Sequence, residues 1–125
     1  HPTACSVALK NIEIIERENL TENARIMGEE LLKGFRYLQL KHEMIGDVRA
    51  LGLIGGISFV KDKATGERFE TPLSPKIASG AAKRGLILRT VIFDQDSLVF
   101  APPLIITKEE IGTMITILDE GLMAI

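Results

Sequence analysis

The apolar positions of this chain recur at two different periods, and the change comes near Ile45. Before it the spacing is helical. Val7, Leu9, Ile12, Ile14 and Ile15 lie in one run from Pro2 to about Glu18. That distribution is wider than one stripe, so the predicted first helix needs cover on more than one side. Pro2 suits a first helical position, because its ring pre-sets φ and the missing N–H has no partner there. A second helix follows, with Leu20, Ala24, Met27, Leu31, Phe35 and Leu38 three or four apart. Asn19 and Glu22 have the spacing of a capping box at its start. Gly28 and Gly34 each cost that helix about 1 kcal/mol relative to alanine, which predicts close packing against another element.

From Gly46-Asp47, read as a turn, the pattern shortens. Val48 to Val60 (VRALGLIGGISFV) is rich in β-branched residues and predicts one strand, bulged or closely approached near Gly55-Gly56. Asp62 to Glu70 is a polar turn with Gly66 at a positive φ. Ser74-Pro75 reads as the N-cap and first residue of a short helix that Gly85 stops. Leu86 to Phe93 and Ser97 to Ala101 predict two paired strands about an Asp94-Gln95-Asp96 turn. Pro102 and Pro103 end the second strand, since neither can donate to a ladder. Thr107 to Glu110 forms a capping box for a last helix that buries Ile111, Met114, Ile115 and Leu118 and stops near Gly121.

Composition narrows the function classes. The chain has 125 residues, 46% of them hydrophobic, enough for a real core. Its formal net charge is −2, with 15 basic residues scattered among the acids. That offers no cationic stripe, so nucleic acid is not an expected partner. No apolar run approaches the roughly 18 to 20 residues that span a bilayer, so no membrane is expected either. The single Cys5 cannot form an internal disulfide and reads as helix packing; a cytoplasmic location is the expectation. A chain that begins His1-Pro2 without methionine reads as a piece of something longer.

Candidate chemistry is sparse. His1 and His42 are far apart, and no HExxH, CxxC or carboxylate cluster has ligand spacing, so no metal site is expected. The glycines near Gly55 have neither GxGxxG nor GxxxxGK[ST] spacing, which argues against a phosphate loop. The lysines fall on polar helix faces or in turns, without the apolar pocket that covalent chemistry needs, so no catalytic residue is assigned. Arg49, at a strand start, anchors a loop carbonyl or a neighbouring acid. Arg89 stands in the middle of an apolar run, where a guanidinium is expensive unless an anion pairs with it. The residues leave two sources for that anion: a protein carboxylate in a buried structural pair, or a carboxylate or phosphate on a ligand.

Three stretches carry a resemblance that spans nearly the whole chain. HPTACSVALKNIEIIE resembles the segment after the active-site Ser-Gly of class III pyridoxal-phosphate-dependent aminotransferases, VRALGLIGGISFVKDK resembles their "vRG.Gl..giEfv" strand, and FAPPLIITKEEI their closing "PPL.it.eEi". The resemblance implies an α+β fold, the C-terminal small domain of a fold-type I enzyme. Residues 1–45 would be a helical segment connecting a large domain to it, and 46–125 the small domain, a mainly antiparallel sheet with helices on one side. It also implies roles. His1 and Pro2 match the end of a segment near the cofactor at a dimer interface. Arg89 matches the arginine that pairs with the substrate carboxylate in pyruvate-using ω-amine transaminases and swings aside for uncharged amines. Ornithine-type members resemble "iRfaPPL"; here the arginine's place is taken by Val99, a departure from that branch. The family's catalytic lysine, the acid facing the pyridine nitrogen and the threonine on the phosphate lie upstream of the matching region.

The expected parent is therefore a homodimeric, pyridoxal 5'-phosphate-dependent transaminase moving an amino group between an amine or amino acid and a keto acid such as pyruvate. This piece alone is expected to be inactive and to bind no cofactor. A related aminomutase or decarboxylase is the variant within that class. The reading from another class is a free-standing α+β module that binds a small carboxylate.

Overall fold

The computed structural model describes residues 1–91 and 96–125. The elements are four helices and a four-stranded sheet: α1 (Pro2–Arg17), α2 (Leu20–Lys41), β1 (Ile45–Leu51), β2 (Ile54–Phe59), α3 (Ser74–Ala82), β3 (Arg89–Thr90), β4 (Ser97–Phe100) and α4 (Lys108–Met123); α2, α3 and α4 share a core with one face of the sheet, and α1 contacts α2. The strand order is β1-β2-β4-β3, every pair antiparallel. This is the α+β arrangement expected.

The core forms where the apolar stripe of α2 meets the sheet. Leu31, Phe35 and Leu38 are fully buried against Ile45, Ile57, Leu98 and Phe100, and α4 closes the layer with Ile111, Met114, Leu118 and Leu122. The Phe35 and Phe100 rings lie 4.7 Å apart, tilted by 54°. The glycines of α2 are where the helix touches its neighbours. A Cβ on Gly28 would stand 2.3 Å from the Gly52 carbonyl oxygen, and one on Gly34 would stand 2.5 Å from the Ile115 side chain. Gly55 likewise lies under the Phe35 ring.

Local readings fail where tertiary partners override them. Val48 to Val60 is not one strand but a hairpin, β1 and β2, turned at Gly52 with φ +54°. The glycine-rich run hid that turn because it has no Asn-Gly or Asp-Gly signal. Gly46-Asp47 is not a turn; it lies within β1, where the register shifts between Ile45 and Asp47, and of the two alternatives for Gly55-Gly56, a bulge or a close approach, the close approach is found, under the Phe35 ring. Asn19 adopts the left-handed conformation, φ 50°, and makes no side-chain cap. Two residues join α1 to α2, and the left-handed conformation one of them takes is one that asparagine tolerates. Glu22 pairs instead with Arg25. Ser74 is not the N-cap but the first residue of α3, whose leading amides are taken by Asp96. Gly66 (φ +72°), Gly85 (φ +89°) and the Thr107–Glu110 capping box are as expected.

α1 contains no buried residue, and Val7, Leu9 and Ile12 are 65%, 69% and 52% exposed. Cys5, read as a packing residue, is exposed as well, because no described element packs over that stretch of the helix; the contact of α1 with α2 lies towards its end, where Ile14 and Ile15 are half-buried. No helix among the described residues is long and apolar enough to cross a membrane.

Charged pairs join the helices. Glu30 of α2 accepts from Lys33 and reaches Lys108 of α4, and these bonds, Lys33 first, hold its carboxyl down to about 2. Asp119 of α4 accepts from Lys41 and meets the buried His42 ring at 2.6 Å; Lys41 first, then His42, lowers its pKa against the opposing effect of burial.

Two measurements test this packing. Gly28→Ala should lose about 1 to 3 kcal/mol in urea unfolding, although alanine gains about 1 kcal/mol in helix propensity, because the clash is with backbone that cannot swing away. A neutral or stabilised variant would mean the α2 and hairpin contact is looser than described. Glu30 has a folded pKa below its ordinary value, so its contribution is complete above about pH 4.3 and is lost as pH falls towards 2. Melting temperature against pH should therefore fall less steeply on the acid side for Glu30→Gln than for the parent sequence.

Candidate functional site

Period-two alternation sorts each strand between two tasks. Val48, Ile57, Phe59, Leu98 and Phe100 point into the helical layer. Their neighbours Arg49, Gly56, Ser58, Ser97 and Val99 belong to the other face, which no described helix covers. An open groove of about 430 Å³ lies there, lined also by Leu51, Ile54 and Val91.

Arg89 falls on this face by register. It lies opposite Val99, which lies opposite Gly56, which lies opposite Arg49. One cross-strand row thus carries a guanidinium at each end, with glycine and valine between. Three inter-strand steps of about 4.8 Å put the two backbones about 14 Å apart. Gly56 keeps the middle of the row flat, and the Ser58 and Ser97 hydroxyls, 2.8 Å apart, tie the next row together.

The two arginines differ in their company. Arg49 is held by the Asp47 carboxylate on the same strand, which fits the neighbouring acid expected for it. Arg89 has no acidic partner among the described residues. The burial expected for it from the apolar run is corrected: Arg89 is exposed. Leu86 and Leu88 turn towards the core while Arg89 alternates away from it. The strand about it is also shorter than Leu86 to Phe93. The stretch after α3 closes a helix-ending motif, with Leu86 N–H donating to Ala81 O and Gly85 N–H to Ala82 O, so ladder pairing begins only at Arg89. Ile92 and Phe93 of that expected strand, and Asp94 and Gln95 of its turn, lie outside the described residues.

Asp96 was not singled out from the sequence. It is 5% exposed, and its two carboxylate oxygens accept the Ser74 and Leu73 amides at 2.6 and 2.8 Å. Its carbonyl accepts the Phe59 amide at 2.9 Å. The carboxylate caps the positive end of α3 from 22 residues away in sequence. The sequence marks it as the last residue of the Asp94-Gln95-Asp96 turn before a strand, and that gives no hint of a distant helix end.

His1 and Pro2 are exposed at the start of α1, where His1 borders a shallow concavity with Thr3, Ala4 and Val7. No hydrogen bond or ion pair among the described residues joins them to Arg89. Every lysine is exposed, and Lys10, Lys33, Lys41, Lys61, Lys63 and Lys108 are engaged by carboxylates. A pyridoxal group needs a lysine in an apolar pocket and donors for its phosphate, and the described residues build neither. No cluster of His, Cys, Asp and Glu that could hold a metal ion is found among the described residues.

Comparison with known proteins agrees on one family. The family described as aminotransferase class-III matches residues 1–122. A taurine–pyruvate aminotransferase of Bilophila wadsworthia is 39% identical over 120 residues, which cover 93% of this chain and 26% of that protein. Among solved structures, an aminotransferase of Bacillus anthracis superposes with a TM-score of 0.92 at 37% identity, covering all of this chain and 29% of its own. A transaminase of the marine bacterium Virgibacillus gives 0.92 at 37%, covering 99% and 29%. The chain thus spans about a quarter of the length of the curated relative it matches.

The lysine environment sets an expectation for this chain alone. Incubated with pyridoxal phosphate and reduced with borohydride, it should show only scattered, substoichiometric labelling across its exposed lysines. Stoichiometric labelling of one lysine would show a pocket that the structure lacks.

Proposed function

Because the chain belongs to the class III aminotransferase family, we propose that it forms the C-terminal part of a pyridoxal-phosphate-dependent transaminase and that Arg89 receives the carboxylate of the keto acid or amino acid. The observation that carries this reading is an arginine exposed on the uncovered sheet face with no acid beside it among the described residues. A structural ion pair would need a carboxylate partner, and Arg49, held by Asp47, shows what that looks like on the same face. A planar guanidinium receives a carboxylate through two parallel hydrogen bonds. The taurine–pyruvate relative supports pyruvate as the acceptor.

In this reading residues 1–45 connect the small domain, residues 46–125, to the rest of the protein. The bare apolar surface of α1 is where the remainder of the enzyme and a second copy in a homodimer pack, and His1 and Pro2 at its start approach the cofactor. The cofactor supplies the electron sink and is held by residues outside this chain; this chain binds and orients the carboxylate. The location is cytoplasmic, and neither nucleic acid nor membrane is a partner.

In the full-length protein Arg89→Ala should lose about 1.5 to 3 kcal/mol of transition-state stabilisation with pyruvate or an amino acid, roughly tenfold to a little over a hundredfold in kcat/KM. An amine donor without a carboxylate should lose little in its own half-reaction. Arg89→Lys should recover only part, since a point charge cannot copy the fork. Equal losses for charged and uncharged substrates, with a falling melting temperature, would return Arg89 to a structural role.

A further inference from the structure

Arg89 sits on a strand with very little sheet to hold it. β3 has two residues, and its ladder consists of Arg89 opposite Val99 and Thr90 opposite Leu98, extended by one bond from Val91 N–H to Ser97 O. Among the described residues its strand partner is β4, which is four residues long and paired on its other side with β2. Strands this short do not fix a side chain by themselves. What fixes them is found by following the chain away from Arg89 in both directions.

Backwards, the chain passes through the turn at Gly85 into α3 and reaches that helix's first amides at Leu73 and Ser74. In the other direction the ladder leads from Arg89 across to Val99 of β4, and the residue before β4 is Asp96. The two routes meet, because the Asp96 carboxylate accepts both of those amides. Arg89 is therefore carried on a closed circuit of helix, turn and ladder whose clasp is one buried side chain. The same residue is pinned to β2 through its carbonyl, so the clasp also places the circuit against the sheet. Bonds from backbone amides to an ionised carboxylate are stronger than neutral ones, and the helix end adds its own attraction for the charge.

We propose that Asp96 is the positioning residue for Arg89: its bidentate hold on the start of α3 fixes the β3–β4 unit at the place from which the arginine receives a carboxylate. This rests on the reading of Arg89 as the carboxylate receptor. Asp96 touches no substrate; it acts through the arginine, and its effect belongs to the substrates that the arginine grips.

The test uses the full-length protein with its cofactor, pyruvate as the carboxylate probe and isopropylamine as the donor that has no carboxylate. Asp96→Asn keeps the shape but sets an NH₂ against one of the two amides, which opens the clasp at one atom. Misplacing a binding group by a fraction of an ångström to 1 Å should lower kcat/KM for pyruvate by about tenfold to a hundredfold, while the isopropylamine half-reaction should change by less than about threefold. In an Arg89→Ala background the same substitution should add less than about threefold to the pyruvate loss, because the group it positions is gone. Equal losses for the two substrates, or losses that multiply in the double variant, would overturn the proposal and leave Asp96 a structural cap. Arg89→Ala measured alone separates the two levels: selective loss there with unselective loss in Asp96→Asn removes only the positioning role, whereas unselective loss in Arg89→Ala removes the underlying reading. If Asp96→Asn does not fold, Leu73→Pro deletes one of the two donors and leaves the carboxylate and its bond to Ser74 in place; it is compared with Leu73→Ala, which loses the same packing against the core but keeps the amide. The same substrate split is expected from Leu73→Pro relative to Leu73→Ala, and a uniform loss again overturns the proposal.

Discussion

Everything else in the structure is arranged about the contact between α2 and the sheet. Phe35 occupies the middle of that contact, lying over Gly55 on one strand and against Phe100 on another. A side chain at residue 55 would collide with the ring, and a smaller residue at 35 would leave a void under the helix. Gly28 makes the same demand one end further along, where the helix backbone rests on the β1–β2 turn itself. These close approaches set the distance between helix and hairpin. α4 then closes over α2 and α3 closes over α4, so both later helices inherit their positions from the first contact.

The helices were the legible part of this chain. α2 and α4 each bury one stripe, and a stripe at helical spacing survives whatever it packs against; the capping box at Thr107 is equally local and forms as read. The width of the α1 surface was also legible, and in this chain it stays uncovered. The sheet was harder. Gly52, Gly55 and Gly56 look alike in sequence, yet one turns the chain, one lies under Phe35 and one flattens the open face. Only the partner elements distinguish them.

The site was legible in identity and not in environment. Arg89 stood out because a guanidinium in an apolar run is unusual, but the run was read as buried throughout, whereas alternation sends Leu88 inward and Arg89 outward. Asp96 went unseen because what it does depends on amides 22 and 23 residues earlier in the chain, a pairing with no local pattern. Long-range caps of this kind replace a serine hydroxyl with a full charge, which explains how Ser74 could carry a cap signature and yet not be the cap.

The uncovered sheet face has a consequence for how such a chain can change over generations. Residues of odd and even parity on the same strand answer to different demands: Ile57 and Leu98 to the packed layer, Gly56, Ser58 and Val99 to whatever approaches the free side. A substitution at Val99 alters the shape and polarity of the groove while Ile57, Leu98 and Phe100 keep their places in the core. The surface of that face can therefore be varied one residue at a time while the packed layer behind it stays the same.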